Sequence, residues 1–305
     1  MEILKVDNLC KSFGTHKVID GLSFSVDEHT IYGFLGQNGS GKTTTMKMIL
    51  GLLKADSGTI TVCGEKVTYG ETKTNKFIGF LPDVPEFYGY MRPMEYLKLC
   101  GEITGLSKEA IKEKSEELLK LVGLFDVKRK IGGFSRGMKQ RLGIAQALLN
   151  EPRILICDEP TSALDPIGRK DILDILLSIK DKTTVIFSTH ILTDVERVCE
   201  NIGVINDGKL AISGNIDALK EVNRHDIIYI EFENENDRKQ AYTFLETLEG
   251  IKEITVEKNS LTIKVNDVKK TGNSIIHILA KEQIYILKYE ILEPTLESIF
   301  MEVVH

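Results

Sequence analysis

Residues 36–44 read GQNGSGKTT, and the rest of the chain is best understood from this stretch outward. A glycine, four further residues and then Gly-Lys-Thr is the spacing of a loop that cradles phosphate. Gly36, Gly39 and Gly41 leave no side chain in the way, so successive N–H groups can turn inward on phosphate oxygens. Gln37, Asn38 and Ser40 complete the loop. Lys42 is placed on the β and γ phosphates, and the Thr43 hydroxyl, with Thr44 beside it, is placed to ligate Mg²⁺. A helix beginning here points its positive end at the nucleotide. The flanks agree: residues 30–35 (TIYGFL) read as a buried strand, and Met46, Ile49, Leu50 and Leu53 share one helix face. A bare glycine turn would need neither.

Upstream, residues 1–30 alternate apolar and polar in short pieces, LKVDNL and LSFSV. Gly14 and Asp20-Gly21 read as turns between antiparallel strands. Phe13 is either an aromatic that stacks on an adenine ring or ordinary core. Downstream, residues 77–81 (FIGFL) form another buried strand. Asp83 lies just past its end, where open α/β sheets place ligand contacts, although a plain Asp in a proline turn reads the same way. Residues 85–133 turn helical, with Ser107 capping a helix that Gly123 ends. Phe87, Tyr88, Tyr90 and Met91 precede that helix in a loop and are either a contact surface or buried under their own domain.

Two carboxylates close the strand in residues 153–160 (RILICDEP). A strand buried on both faces carries its chemistry at its C-terminal edge. Asp158 can hold Mg²⁺, and Glu159 can take a proton from an attacking water, although such a pair can also cap the next helix. Asp165 and Pro166 read as the cap and first residue of a helix with Ile172, Ile175, Leu176 and Ile179 on one face. Residues 183–188 (TTVIFS) are a further buried strand, and His190 follows it, able to donate to a γ-phosphate. Ser135 and Gly137 open the helix in FSRGMKQR and offer a second anion-binding end. Asn206-Asp207-Gly208 is a tight hairpin, and a short helix around Ala218 and Leu219 closes a first domain, residues 1–220. From residue 223 to 305 the order is β-α-β-β-α-β, a ferredoxin-like α+β unit with no catalytic cluster.

With 305 residues there is room for one ordinary and one small domain, and 42% hydrophobic content is normal for a globular core. A net charge of −6 argues against a general nucleic-acid binder, so no nucleic acid is expected. Five widely spaced cysteines suggest neither a disulfide framework nor a zinc site, and place the chain in a reducing compartment. No apolar run approaches the roughly 18 residues of a membrane helix, and residues 1–10 lack a signal-peptide layout. The expected location is cytoplasmic, with any membrane role supplied by a partner.

Taken in order, GQNGSGKTT, FSRGMKQR, ILICDEP, SALD and Ser188-Thr189-His190 resemble the ATP-binding cassette ATPases over residues 1–220. The resemblance implies a P-loop NTPase cassette of α/β class with an antiparallel β subdomain and a helical subdomain. It implies ATP and Mg²⁺ as cofactors, Phe13 as the adenine-stacking aromatic, Glu159 as catalytic base and His190 as γ-phosphate switch. It further implies that Ser135, Gly137 and Asp165 act across a head-to-tail pair made with a second copy or a paralogous cassette. Arg136 and Met138 depart from the family's signature LSGGQ. Asp83 sits where the family has a glutamine that reaches Mg²⁺, and a carboxylate cannot donate as an amide does. The SRGMKQR wording and the tail ILEPTLESIFMEVV look like ATPase subunits of two-component ABC-2 exporters, in which a separate transmembrane permease carries the substrate. A soluble cassette working on ribosomes or nucleic acid is the rival reading.

Overall fold

The computed structural model describes residues 1–222, 226–292 and 295–304. The expected start of the second domain at Asn223 and the Glu293-Pro294 pair of the tail lie outside the described residues. In chain order the first half contains β1 (Glu2–Phe13), β2 (His16–Asp27), β3 (Ile31–Leu35), α1 (Lys42–Ile49), β4 (Ser57–Val62), β5 (Glu65–Lys66) and β6 (Ile78–Leu81). It continues with α2 (Pro93–Ile103), α3 (Lys108–Leu121), α4 (Arg136–Leu148), β7 (Ile154–Asp158), α5 (Pro166–Ile179), β8 (Thr184–Thr189), α6 (Leu192–Val198), β9 (Asn201–Asn206), β10 (Lys209–Asn215) and α7 (Ile216–Val222). The remainder is β11 (Ile227–Phe232), α8 (Glu235–Leu245), β12 (Ile251–Val256), β13 (Ser260–Val265), α9 (Val268–Lys281), β14 (Ile286–Leu292) and α10 (Leu296–Val304). Two compact units result, chiefly Met1–Ile216 and Asp217–Glu302.

In the first unit a six-stranded sheet runs β10-β9-β3-β8-β7-β6. From β9 to β6 the pairings are parallel. Every residue of β3, β7 and β8 is buried, as expected of strands covered on both faces, which is why they read as unbroken apolar runs. Their C-terminal ends lie together, because Asp158 is in register with Ser188, and Leu35 with Thr189. Asp207 and Gly208 both have positive φ, so the β9–β10 hairpin turns as its sequence predicts. A second, antiparallel sheet runs β2-β1-β4-β5.

Asp20-Gly21 is not a turn between strands. Both residues sit inside β2, where the register against β1 slips between Leu9 and Lys11, and Gly21 takes the positive φ of a bulge. The helix after the phosphate loop is also shorter than its apolar spacing suggests. Gly51 turns left-handed just past it, and Leu53 packs on the core from outside the helix. Ser107 caps α3 as expected, its hydroxyl accepting from the Ala110 N–H at 3.2 Å. α2 is an additional helix ahead of it, opened by Pro93 and by a Glu95 carboxylate that accepts from the Arg92 N–H.

The second unit has an antiparallel sheet in the order β12-β13-β11-β14. Ile228, Ile230 and Phe232 of β11 are fully buried with Ala241 and Leu245 of α8 and Ile275 and Leu279 of α9. This is the ferredoxin-like arrangement. No described helix is long and apolar enough to cross a membrane.

Candidate nucleotide site

The loop between β3 and α1 is built by close approach. A Cβ on Gly36 would stand 2.6 Å from the Ile205 carbonyl oxygen, so the residue must be glycine for the loop to lie against β9. Gly41 has φ 109° at the N-terminus of α1, and no side chain caps that helix. The first turn's N–H groups therefore face the loop without a side-chain acceptor. The buried Ser40 hydroxyl also has no partner. Lys42 is 5% exposed, and its ammonium donates to the carbonyls of Gly36 at 2.7 Å and Gln37 at 3.2 Å. An uncapped helix start, an orphaned hydroxyl and a buried ammonium fit a polyphosphate.

Around this loop a cavity of about 350 Å³ is lined by Asn38, Gly39, Gly41, Lys42, Thr43, Thr44, Asp83, Asp158 and Glu159. Asp158, at the end of β7, receives the Thr43 hydroxyl at 2.8 Å and the Ser188 hydroxyl at 2.6 Å, one on each carboxylate oxygen. A hydroxyl and a carboxylate with room for phosphate and water suit Mg²⁺, which keeps several waters and takes only one or two protein ligands. Glu159 is anchored by its own N–H, 3.1 Å from the Ser188 hydroxyl and 3.2 Å from the Ser188 carbonyl. Its φ of 48° is unusual for a residue with a side chain, and turns the carboxylate into the cavity. One of its oxygens lies 3.3 Å from the Lys42 ammonium, and the other meets His190 Nδ1 at 3.0 Å. Lys42, Glu159 and His190 thus form one chain of contacts at the cavity.

The other expected residues stand apart from that lining. Ser135 caps α4, its hydroxyl accepting from the Met138 N–H at 3.3 Å, and Gly137 is the second residue of that helix. Asp165 caps α5, accepting from the Gly168 N–H at 3.1 Å. Phe13 is 51% exposed at the end of β1, with the Lys11 ammonium 5.4 Å from its ring centre, so it is not core. Asp83 does face the cavity, but its Oδ1 accepts from Arg136 at 2.9 Å. The aromatic loop divides: Phe87 packs edge-on against Tyr96 at 5.1 Å between ring centres, whereas Tyr88 and Tyr90 are exposed. A larger apolar groove of about 570 Å³ between α3, α5 and the end of α4 carries none of these motifs.

Ser188 and Gln140 also build the site, although neither has a role that its motif predicts. Ser188 is fully buried and joins Asp158 to the Glu159 backbone, and its signal is its place near the C-terminal end of a buried strand, β8, in register with Asp158 at the end of β7. Gln140, also fully buried, donates from Nε2 to the Asp83 carbonyl at 2.6 Å, and only its position one turn after Arg136 could have suggested it.

The profile of the family described as ABC transporter matches residues 19–162, and that of the DrrA1-3-like ATP-binding protein C-terminal domain matches residues 214–304. The uncharacterized ABC transporter ATP-binding protein YxlF of Bacillus subtilis is 37% identical over 99% of this chain and all of its own length. The chain belongs to the ATP-binding subunits of ABC transporters. The bacitracin transport ATP-binding protein BcrA of Bacillus licheniformis is likewise 37% identical, over 99% of this chain and 97% of its own. A solved ATP-binding cassette in its ADP conformation superposes with a TM-score of 0.66 at 27% identity, covering 72% of this chain and 92% of that one. A nucleotide-free cassette gives the same TM-score at 28% identity, covering 73% and 95%. This chain is accordingly an ATP-binding cassette with ATPase activity, and the cavity at the phosphate loop is where its geometry suits ATP.

Proposed function

We propose that this chain is the ATP-hydrolysing subunit of an exporter, working as a head-to-tail pair of cassettes on the cytoplasmic face beneath a separate membrane permease. The observation that carries the reading is the Lys42–Glu159–His190 chain at the cavity, set beside Thr43 and Asp158. Glu159 takes the proton of the attacking water, and His190 donates toward the γ-phosphate. Lys42 moves from the loop carbonyls to the β and γ oxygens. Thr43 and Asp158 would hold Mg²⁺, which supplies charge neutralisation on the phosphates. Ser135, Gly137 and Asp165 stand outside the cavity lining, which leaves them for the nucleotide of a second cassette. Phe13, exposed at the end of β1, remains available to an adenine ring.

Relatives named for bacitracin transport and linearmycin resistance support outward transport of a toxic compound. Transporter ATPases matched along nearly their whole length, together with the acidic balance of the chain, disfavour a ribosomal or nucleic-acid role. The test is Glu159→Gln. ATP binding should persist, steady-state turnover should fall about 10²–10⁴-fold, and an ATP-dependent dimer should outlast that of the unaltered chain in light-scattering chromatography. Normal turnover in this variant refutes the assignment.

A further inference from the structure

Three carboxylates, Asp83, Asp158 and Glu159, line a cavity whose lining holds one ammonium, that of Lys42. A polyphosphate entering it meets a local excess of negative charge. Asp158 and Glu159 are engaged by hydroxyls, Lys42 and His190, which leaves Asp83 as the carboxylate with no part in that chain. Its partner is Arg136, which donates from Nη2 to Oδ1 at 2.9 Å. Both side chains are partly exposed, yet the frame beneath them is rigid. Buried Gln140, four residues after Arg136 on α4, holds the Asp83 carbonyl at 2.6 Å. Gly143 of the same helix lies against Leu81 and Pro85, so close that a Cβ there would overlap the Leu81 side chain. The arginine therefore stands over Asp83 because α4 is packed onto the β6 end.

We infer that Arg136 is a positioning residue acting within its own chain: by holding the Asp83 carboxylate it cancels one of the two surplus negative charges lining the cavity and so sets nucleotide affinity. Asp83 is then half of an ion pair and not a ligand of the metal. The inference rests on the cavity being the nucleotide site.

The experiment measures binding of a fluorescent ATP analogue to dilute, monomeric full-length protein carrying Arg136→Ala, Asp83→Asn, Arg136→Lys or the first two together. Arg136→Ala should bind about tenfold more weakly, an uncompensated charge acting across roughly 8 Å of partly screened space. High salt should shrink that deficit. Arg136→Lys should keep most of the affinity. Adding Asp83→Asn to Arg136→Ala should restore binding to near that of the unaltered chain, a rescue that a merely structural role for the arginine would not give. If Arg136→Ala binds normally as a monomer and loses only ATP-dependent pairing, the arginine acts across the dimer and the inference is wrong. Failure of the asparagine to rescue also overturns it. Absence of binding by the unaltered chain counts instead against the nucleotide site itself.

Discussion

Replacing Ser188 by alanine probes the site at the residue that joins its parts. The Ser188 hydroxyl is buried, donates to Asp158 at 2.6 Å and accepts from the Glu159 N–H at 3.1 Å. Removing it leaves one carboxylate oxygen of a nearly buried aspartate without its donor, and leaves the Glu159 N–H with the Ser188 carbonyl alone, at 3.2 Å. A hydrogen bond to a charged group contributes about 1.5–3 kcal/mol, and a water entering the vacated space would bring the loss toward the lower end, about 2 kcal/mol. For a unit of this size about 2 kcal/mol lowers Tm by roughly 4–8 °C. Asp158 also loses the partner that fixes its orientation toward Thr43, so the Mg²⁺ concentration for half-maximal ATPase should rise about 10–100-fold. Calorimetry and Mg²⁺ titration of ATPase rate measure both. A Tm within about 1 °C of the parent, together with an unchanged Mg²⁺ requirement, would show that the hydroxyl neither braces nor aims this carboxylate.

Other substitutions test the surrounding frame. Gly79→Ala places a methyl group on the Ala147 carbonyl oxygen and 3.0 Å from Pro152, backbone and ring that cannot yield, so a urea midpoint should report a loss of about 1–3 kcal/mol. Asp165→Ala removes the cap of α5 and should cost about 1 kcal/mol, whereas Asp165→Asn should keep most of it; equal urea midpoints for all three proteins would refute the cap. Burial pushes the thiols of Cys157 and Cys199 well above the usual range, so little thiolate forms in the folded state at mildly alkaline pH. Mass spectrometry after alkylation should find Cys157, which is fully buried, unmodified until denaturant is added, and labelling of it in the folded chain would contradict the burial.

The strands that build the site were plain in the sequence because a parallel strand covered on both faces has to be apolar at every position. TIYGFL, RILICDEP and TTVIFS each locate their strand to within about two residues, the usual uncertainty of an element end. The phosphate loop was equally plain, since its glycines answer to local backbone geometry. Asp20-Gly21 misled because the same positive φ serves a turn or a bulge, and only the partner strand decides which. α2 lies inside the stretch that reads as helical, but its own limits were blurred by Gly101, which interrupts the helical pattern yet is demanded by the Ile111 side chain packed against it. Neither the Asp83–Arg136 pair nor the Ser188–Asp158 bond has a local signature. Each joins residues brought together only when β6, β7, β8 and α4 assemble.

The left-handed backbone at Glu159 has an evolutionary consequence. A residue with a Cβ holds that conformation at a cost of about 1–3 kcal/mol, which the two bonds from its N–H to Ser188 help to offset. Glycine would relieve the strain and strengthen the fold while removing the carboxylate. On the role proposed for Glu159, selection for stability and selection for turnover therefore pull in opposite directions at this one position. A cassette of this shape that drifts to glycine there would, on that proposal, keep its nucleotide loop and lose the carboxylate that drives hydrolysis.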